Sequence, residues 1–515
     1  KYHTDITFQN IVQSGLDDPK VYQLLQKGYT QNIFQFSSKG MTKFLVSMQP
    51  DKIEDLIAAN ALFRPATLDS GSTDKYVDCK LGDADPVYLW GTYNAMKNTY
   101  GVLCYQEQLA QIAREVGKFS LGEGVKLVKL ISKKKVDKIL ALRDKFMAGA
   151  NENGCPKEDA EAIWHMFEVA GGYLFNKSHA TAYAVTAYAG AYLKANYPTA
   201  FYTIALQWAK DDEIPTLMSE MELCSEAKIV PPDINVSGGT FITDYETNKI
   251  FWSLSRIKML GAKATEWIIN ERNVRGEFSS IENFIERIFR YKLKLYKYWD
   301  DPDNPNEATK CPVNARHVRH LILSGCFDKV ENAQSVIERY AILEKAAKCL
   351  GFEISEKDIP EDLRNKHYFW SQQQIAISGI GAIDYKRIYD NSEAKPQIKG
   401  KASWALLKNI QDPDYDGKRV AICANIVDIE EKKFKDKKTG ENRVFCKLLL
   451  QQNNDLVEMV IWNDEWMNVR ATLCKGGSLS SAKNKMLICS AQVKYSDYTG
   501  GNNLQLYKSS IIDIL

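Results

Sequence analysis

The sequence predicts a multidomain protein that is mainly α-helical up to about residue 415 and then ends in a small five-stranded β-barrel. Three observations support this fold class. The chain has 515 residues, enough for three or four domains, and its 45% hydrophobic and 26% charged content is typical of globular proteins. Apolar residues recur with a helical period through most of the chain. From Arg419 onward the period changes to the alternation of β-strands.

Composition excludes several classes of protein. The formal net charge is +2, from 67 basic and 65 acidic residues, so binding to nucleic acid has to come from local basic patches. The eleven cysteines include no C-x-x-C pair, which argues against a disulfide scaffold and favours a reducing compartment. The sequence has no signal peptide and no membrane-spanning apolar run, so we expect a cytoplasmic protein without a membrane partner. Because it starts at Lys1, we expect a fragment, a processed product or a trimmed chain.

Residues 1 to about 60 predict amphipathic helices joined by loops. Pro65 and the small residues of ALFRPATLDSGS predict a loop there. The later stretch GVLCYQEQLAQIAREVG predicts a helix whose apolar face carries Leu109 and Ile112. We expect its polar residues to face solvent or substrate: Gln106, Glu107, Gln108 and Arg114.

A helix rich in lysine follows, in GVKLVKLISKKKVDKI. Leu127, Leu130 and Ile131 form its apolar face. A lysine run is commonly a solvated surface, but beside an anion site it is a candidate for phosphate contact. The cationic side consists of Lys126, Lys129, Lys133, Lys134 and Lys135.

The stretch from Gly171 to Pro198, GGYLFNKSHATAYAVTAYAGAYLKANYP, predicts an Ala-rich helix from Ser178 to Ala195 that ends before Pro198. The residues just before it combine aromatic rings, capping side chains and two potential cations. Because free N–H groups at a helix start attract anions, these residues form a candidate phosphate site. The alternative is structural: a helix cap, a core histidine and core tyrosines. The candidates are Tyr173, Phe175, Asn176, Lys177, Ser178 and His179.

Residues 246–330 predict short helices joined by tight turns. A short strand leads into a turn at Gly261 and then a helix, and a second helix ends at Gly325. Paired short helices around a glycine hairpin present backbone N–H groups to a phosphate strand without reading bases. An ordinary helical subdomain is the alternative. The candidate DNA contacts are Lys258, Gly261, Lys263 and Gly325.

Residues 331–415 predict a helical linker region, and residues 416–515 predict five strands with a helical element before the fourth, as in a barrel of the OB type. The loop after the first strand of such a barrel grips single strands, and aromatic rings stack on bases. The alternative is that the lysines only guard a hairpin edge. The candidate loop lysines are Lys432, Lys433, Lys435, Lys437 and Lys438, and the candidate stacking rings are Trp462, Trp466, Tyr495 and Tyr498.

Three groups of residues resemble metal sites, and we expect none of them to bind a metal. Asp83 and Asp85 form a D-x-D pair, but it lies between Gly82 and Pro86 in a loop. The calcium-like run from Asp301 lacks the required glycine. A zinc set has no thiolate pair at finger spacing: Cys311, His317, His320 and Cys326.

Several motifs occur together in a fixed order: FQFSSKGM, ALFRPATLDSG, YGVLCYQEQLAQIA, SKKKVDKI, FNKSHATAYA, YLKANYP and IVPPDINVS. In order and spacing they resemble the alpha subunit of bacterial DNA polymerase III, the C-family replicative polymerase. The resemblance implies a fingers domain at 1–245 and a tandem helix-hairpin-helix region at 246–330 that grips duplex DNA. It further implies a possible clamp contact at 331–415 and an OB domain near the single-stranded template at 416–515.

The resemblance also implies roles for residues. Tyr173 and His179 would line the incoming-nucleotide pocket, with Asn176, Lys177 and Ser178 in the same loop. Lys129 or the run from Lys133 to Lys135 would lie near the triphosphate. The chain departs from the family in having Val128 and Lys129 where an arginine pair is usual, RPAT for RPGP, and Lys258-Met259-Leu260-Gly261 for K-G-V-G.

The palm carboxylates that hold Mg²⁺ in this family lie upstream of FQFSSKGM. We therefore expect a part of a DNA-directed DNA polymerase that binds deoxynucleoside triphosphates and primer–template DNA and is inactive alone. The alternative is a non-catalytic DNA-binding module. Implied partners are a palm-containing N-terminal part, a sliding clamp and other replisome subunits. Clamp-peptide-like stretches are QQQIAI, from Gln372 to Ile377, and LQLY, from Leu504 to Tyr507.

Overall fold

The structure, a computed structural model, describes residues 6–132, 136–289, 311–381, 385–390, 392, 394–398, 401–435, 440–453, 455–474, 477–483, 485–496, 501–506 and 512–514. The chain divides into two compact units, Lys1–Pro198 and Thr199–Leu515. Among the helices of the described residues, none is both long enough and apolar enough to cross a membrane.

The first unit is helical throughout its described part. Its helices are α1 (Phe8–Gln13), α2 (Pro19–Gln26), α3 (Lys39–Met48), α4 (Ile53–Leu62), α5 (Pro65–Asp69), α6 (Ser72–Leu81), α7 (Tyr93–Met96), α8 (Gln106–Glu115), α9 (Leu121–Ser132), α10 (Val136–Glu152), α11 (Lys157–Ala170) and α12 (Lys177–Asn196). The loop predicted at Pro65 is wrong. Proline stands at the first position of α5, where its missing N–H needs no partner.

Helices α8 to α11 share one core. Phe146 of α10 packs against Trp164 and Phe167 of α11, with ring centroids 5.5 and 5.6 Å away. Gly149 lets α10 approach the chain after α8 closely, because a Cβ at Gly149 would lie 2.0 Å from the Gly117 carbonyl oxygen. This core fixes α8 and α9 relative to each other.

Helix α12 packs against α2 and α4 through a row of buried alanines. The buried Tyr188 hydroxyl accepts the Asp18 N–H at 2.9 Å. The buried Lys194 Nζ donates to the carbonyls of Tyr29 and Gln31 at 3.0 and 2.8 Å. The predicted Ala-rich helix is thus confirmed to within one residue at each end.

The second unit combines helices with two sheets. Its helices are α13 (Pro198–Trp208), α14 (Ile214–Cys224), α15 (Ala262–Arg275), α16 (Ile281–Phe289), α17 (Ala315–Leu323), α18 (Arg339–Leu350), α19 (His367–Ser378), α20 (Tyr385–Asp390), α21 (Ala394–Ile398) and α22 (Asn463–Cys474). Its strands are β1 (Lys228–Val230), β2 (Ile242–Asp244), β3 (Lys249–Phe251), β4 (Ser403–Trp404), β5 (Arg419–Lys435), β6 (Asn442–Gln452), β7 (Asp455–Ile461), β8 (Met486–Ser496), β9 (Gly501–Leu506) and β10 (Ile512–Ile514).

Strands β5 to β9 form a closed barrel. The pairing order is β5-β6-β7-β9-β8, and β8 returns to β5. Helix α22 lies between the third and fourth barrel strands, as predicted. Alternate residues of the strands fill the interior, among them the fully buried Ile422, Leu450 and Met459. The fold class, a mainly helical chain followed by a five-stranded OB-type barrel, is confirmed.

The two clamp-peptide-like stretches are parts of packed elements. QQQIAI lies in α19, where Gln374 and Ile377 are buried. LQLY begins on β9 with Leu504 and Leu506 inside the barrel core, and Tyr507 lies outside the described residues. Neither stretch presents an accessible extended peptide, so this structure does not support either as a clamp contact.

Candidate functional site

In the first unit, the starts of α8 and α12 are joined side by side. Phe175, just before α12, donates its N–H to the Cys104 carbonyl at 2.9 Å. The Phe175 carbonyl accepts the Gln106 N–H, also at 2.9 Å. This short parallel bridge places the loop of the predicted nucleotide site directly against the first turn of α8.

Gln108 holds the chain before α8 in place. Its side-chain oxygen accepts the N–H groups of Cys104 and Tyr105 at 2.9 and 2.8 Å. Its amide nitrogen donates to the Ala95 carbonyl at 3.1 Å and to the Thr99 hydroxyl at 2.7 Å. The side chain is buried and makes four hydrogen bonds, so the expectation that Gln108 faces solvent or substrate is wrong.

Asn176 caps α12, and Glu107 of α8 completes the cap. The Asn176 side-chain oxygen accepts the His179 N–H at 2.9 Å and the Ser178 hydroxyl at 2.6 Å. The Glu107 carboxylate accepts the Lys177 N–H at 2.9 Å and the Asn176 amide at 3.0 Å. The sequence predicts only that Glu107 is accessible. Its hydrogen-bond partners lie about seventy positions later in the chain, so no local sequence pattern reveals them.

Arg64 is a second residue whose role the sequence does not reveal. Its guanidinium donates to the Tyr173 carbonyl and lies 4.6 Å from the centre of the Phe175 ring. Its Nε donates to the Ala61 carbonyl at 3.0 Å. Burial lowers the pKa of this arginine from its usual value. Arg64 therefore ties the loop before α12 to the end of α4 through a bond and a cation–π contact.

The aromatic side chains of the site form a continuous row. The exposed His179 ring lies 4.1 Å from Tyr183 and 5.5 Å from Phe175, measured between centroids. The Tyr173 hydroxyl is 3.3 Å from the Ser72 hydroxyl, and Lys177 Nζ lies 5.6 Å from the Tyr105 ring. The rings of Phe175, His179 and Tyr183 thus form one row, while the Lys177 side chain lies over Tyr105 and the Tyr173 hydroxyl lies at Ser72.

Two clefts flank Glu107. One, of about 180 Å³, is lined by polar side chains that include Glu54, Asn98 and Lys177. The other, of about 330 Å³, lies between α8 and α9 and is lined by Arg114, Val128 and Asn176 among others. Lys129 is exposed next to Val128, while Lys133, Lys134 and Lys135 lie outside the described residues.

In the second unit, the predicted hairpin at residues 258–261 has its left-handed residue at Met259. Met259 has φ +70° and is 58% exposed, whereas Gly261 is extended at φ −69° and caps α15. The expectation of the tight turn at Gly261 is therefore wrong by two residues. Lys258 and Lys263 are exposed beside the turn, as a backbone-binding hairpin requires.

Helix α17 supports this hairpin. His320 Nδ1 lies 2.6 Å from the Lys258 carbonyl oxygen, and His317 Nδ1 accepts the Asn314 N–H at 3.3 Å. Burial lowers the pKa of both histidines, so the neutral rings are favoured. Cys326 is buried beside Ser324, and Cys311 contacts backbone carbonyls.

Gly325 is a corrected candidate. It is buried at φ +91°, and a Cβ there would lie 2.6 Å from the Arg339 guanidinium. Arg339 is itself paired with Asp328 and bound to the Leu323 carbonyl and to Gln374. Glycine is needed for packing at this turn, so Gly325 does not present its backbone to DNA.

The barrel carries an aromatic face formed by residues on β5, on β6 and just after β7. Phe434, Phe445 and Trp462 lie with ring centroids 5.3 to 5.8 Å apart. Trp462 is 41% exposed. We call these three residues the aromatic face. Phe434 and Phe445 were not among the predicted stacking residues, whereas Trp466 is buried against Glu431 and is a wrong prediction. Tyr495 is exposed, and Tyr498 lies outside the described residues.

The predicted basic loop is partly a strand. Lys432, Lys433 and Lys435 lie on β5, paired opposite Phe445, Val444 and Asn442 of β6. Lys432 contacts Glu430 at 3.1 Å, and the other two are exposed. Lys437 and Lys438 lie outside the described residues. Because side chains alternate along a strand, Lys432 lies on the same face as Phe434 and borders the aromatic face, whereas Lys433 and Lys435 lie on the opposite face of β5. A cation beside exposed rings is the combination that binds single strands.

The last feature of the described part of the chain concerns metal binding. There, the side chains form no group of three or more His, Cys, Asp or Glu that could hold an ion. We therefore assign no Mg²⁺ ligand to any described residue.

Comparisons with known proteins show which proteins the chain is similar to. Residues 1–154 match the family described as the bacterial DNA polymerase III alpha subunit finger domain, and residues 226–297 match a helix-hairpin-helix motif. The chain is 35% identical over 340 residues to the DNA polymerase III subunit alpha of Aquifex aeolicus, covering 65% of this chain and 27% of that protein. It is 28% identical over 528 residues to the same subunit of Escherichia coli K12, covering 98% and 42%.

The subunit of Thermus aquaticus is 36% identical over 285 residues, covering 53% of this chain and 23% of that protein. The chain therefore spans less than half of the length of these relatives. The matches confirm the resemblance seen in the sequence motifs.

Proposed function

Since the chain is a relative of the bacterial DNA polymerase III alpha subunits, we propose that it binds the incoming deoxynucleoside triphosphate and the primer–template DNA for template-directed nucleotidyl transfer. The observation that carries the proposal is the junction of α8 and α12. It joins the loop of residues 173–176 to the first turn of α8, beside two clefts that Lys177 and Asn176 help to line. Mg²⁺ would stabilise phosphoryl charge in such a reaction, together with a palm-containing part.

Each side chain has a task in this proposal. The rings of Tyr173 and His179 offer flat faces to the sugar and base of a nucleotide. Lys177 and Lys129 supply positive charge for the phosphates. Arg64 and Gln108 hold the loop before α12 and the start of α8 in position.

We expect Lys177→Ala and His179→Ala each to weaken deoxynucleoside triphosphate binding by about tenfold, since each removes a charge or a ring from the site. The measurement is titration calorimetry of the full chain with dATP. Lys157 and His165 give matched controls, because Lys157 also begins a helix and both are exposed on α11. If all four variants bind dATP as tightly as the unsubstituted chain does, the proposed nucleotide site is wrong. Retained binding of primer–template DNA without nucleotide binding would instead favour the non-catalytic DNA-binding module.

The exposed hairpin and the barrel supply the proposed DNA contacts. Lys258, Lys263 and the backbone of residues 258–261 would hold the duplex, and Lys432 with the aromatic face would hold a single strand. The helix-hairpin-helix match and the relatives support DNA as the partner.

Met259→Gly tests the hairpin. A non-glycine residue at φ +70° costs roughly 1 kcal/mol, so glycine relieves strain and exposes the turn backbone. We expect a higher unfolding temperature and tighter primer–template binding by about twofold to fivefold, measured by fluorescence anisotropy. Asn332→Gly is the control, because Asn332 is exposed and left-handed outside the hairpin. Weaker DNA binding by Met259→Gly would show that backbone approach at this turn is not what holds DNA.

A further inference from the structure

The start of α12 already holds an anion, the carboxylate of Glu107. Its two oxygens accept the Lys177 N–H at 2.9 Å and the Asn176 amide at 3.0 Å. Another N–H donor of this first turn, that of His179, donates to the Asn176 side-chain oxygen. The sequence predicts a phosphate at this helix start. The structure shows that these N–H donors are already bonded to groups of the protein itself.

A phosphate and Glu107 compete for the same N–H groups. A donor bonded to the carboxylate cannot bond equally well to a phosphate, and two anions in contact repel each other. Glu107 is exposed and borders both clefts. Its charge therefore acts on any phosphate that enters either cleft from the α12 side.

We propose that Glu107 determines where a triphosphate binds at this site, by excluding phosphate from the start of α12. The phosphates then contact the Lys177 side chain, which lines one of the two clefts, instead of the N–H groups of the helix start. This inference rests on the proposed nucleotide binding. It assigns to Glu107 a selective role in addition to its contact with the cap.

Two substitutions separate exclusion from a simple structural tie. Glu107→Gln keeps the size of the side chain and one acceptor but removes the charge. Glu107→Asp keeps the charge on a shorter side chain. If Glu107 only ties α8 to α12, both changes loosen the loop and weaken anion binding. If Glu107 excludes phosphate, only the glutamine variant binds anions more tightly.

The experiment is titration calorimetry of the full chain with sodium tripolyphosphate and with dATP, at low and high salt. We expect Glu107→Gln to bind tripolyphosphate about threefold to tenfold more tightly than the unsubstituted chain, with a smaller gain at high salt. Glu107→Asp should show no gain. Glu158→Gln is the control, because it removes one exposed charge from the first turn of α11. If Glu107→Gln does not fold, Glu107→Ala removes the same charge and should show the same gain.

The outcomes distinguish this inference from the proposed function. Normal dATP binding by the unsubstituted chain, with no gain in Glu107→Gln or a gain equal to that of Glu158→Gln, overturns the inference and leaves nucleotide binding intact. Weaker binding by both Glu107 variants shows a structural tie and also overturns it. If neither the unsubstituted chain nor Glu107→Gln binds dATP or tripolyphosphate, both proposals fail.

Discussion

Asp55→Ala is expected to destabilise the first unit by about 3–5 kcal/mol, because it leaves a buried lysine without its main partner. The Asp55 carboxylate is fully buried and lies 2.9 Å from Lys80 Nζ, whose side chain is 4% exposed. The carboxylate also accepts the Tyr76 hydroxyl at 2.9 Å and the Asp51 N–H at 3.0 Å. Hydrogen exchange of the α4 and α6 peptides, followed by mass spectrometry, measures the loss locally.

Asp51→Ala is the matched control. Asp51 contacts the same lysine nitrogen at 3.1 Å, but its side chain is 65% exposed. We expect it to cost below about 1 kcal/mol, as exposed ion pairs do. In the double variant Asp55→Ala/Lys80→Met, part of the lost stability should return, because no buried charge remains. Equal exchange rates in the Asp55 and Asp51 variants would contradict the account of this cluster.

The contribution of Lys80 to the stability of the first unit depends on pH. Burial alone lowers the pKa of Lys80, but its bonds and charge interactions with Asp55 and Asp51 outweigh burial and raise it above the usual value. The stabilisation is therefore complete below the unfolded pKa of a lysine and is lost as the pH rises through the raised pKa. In Asp55→Ala, much of this loss of stability at alkaline pH should be absent.

Trp462→Ala is expected to weaken the binding of single-stranded DNA by about 1–3 kcal/mol, roughly tenfold to a hundredfold, because it removes the most exposed ring of the aromatic face. Phe434 and Phe445 alone cannot present the same stacking area, since both rings are half-buried. Fluorescence anisotropy with a labelled oligonucleotide of mixed sequence measures the change.

Trp208 offers the matched control for this prediction. It lies on α13, outside the barrel, and is 82% exposed, more than Trp462. Trp208→Ala should leave single-strand affinity unchanged within about twofold. If both tryptophan variants bind the oligonucleotide as well as the unsubstituted chain does, the aromatic face is not a single-strand site.

Local signals in the sequence predicted much of the fold. The alanine spacing and Pro198 fixed α12 to within one residue, because both act within one helix. The change of period at Arg419 predicted the barrel and its inserted helix. Pro65 was misread as a loop signal, since proline also suits the first turn of a helix.

The site was predicted less completely, because its key contacts join distant parts of the chain. Asn176 as a cap is a local feature and was among the predicted residues. Glu107 and Arg64 reach the same loop across 69 and 109 positions, and the sequence gives no periodic signal for such pairs. Trp462 and Trp466 are close in sequence, but Trp462 is exposed just after β7 and Trp466 is a buried residue of α22.

We propose that nucleotides bind where α8 meets α12. Photocrosslinking of the full chain with azido-dATP, followed by peptide mapping, tests it most directly. We predict adducts in residues 173–183 and in the first turn of α8, reduced by unlabelled dATP and by Lys177→Ala. Competable adducts confined to the second unit, or adducts that unlabelled dATP does not reduce, would contradict the account.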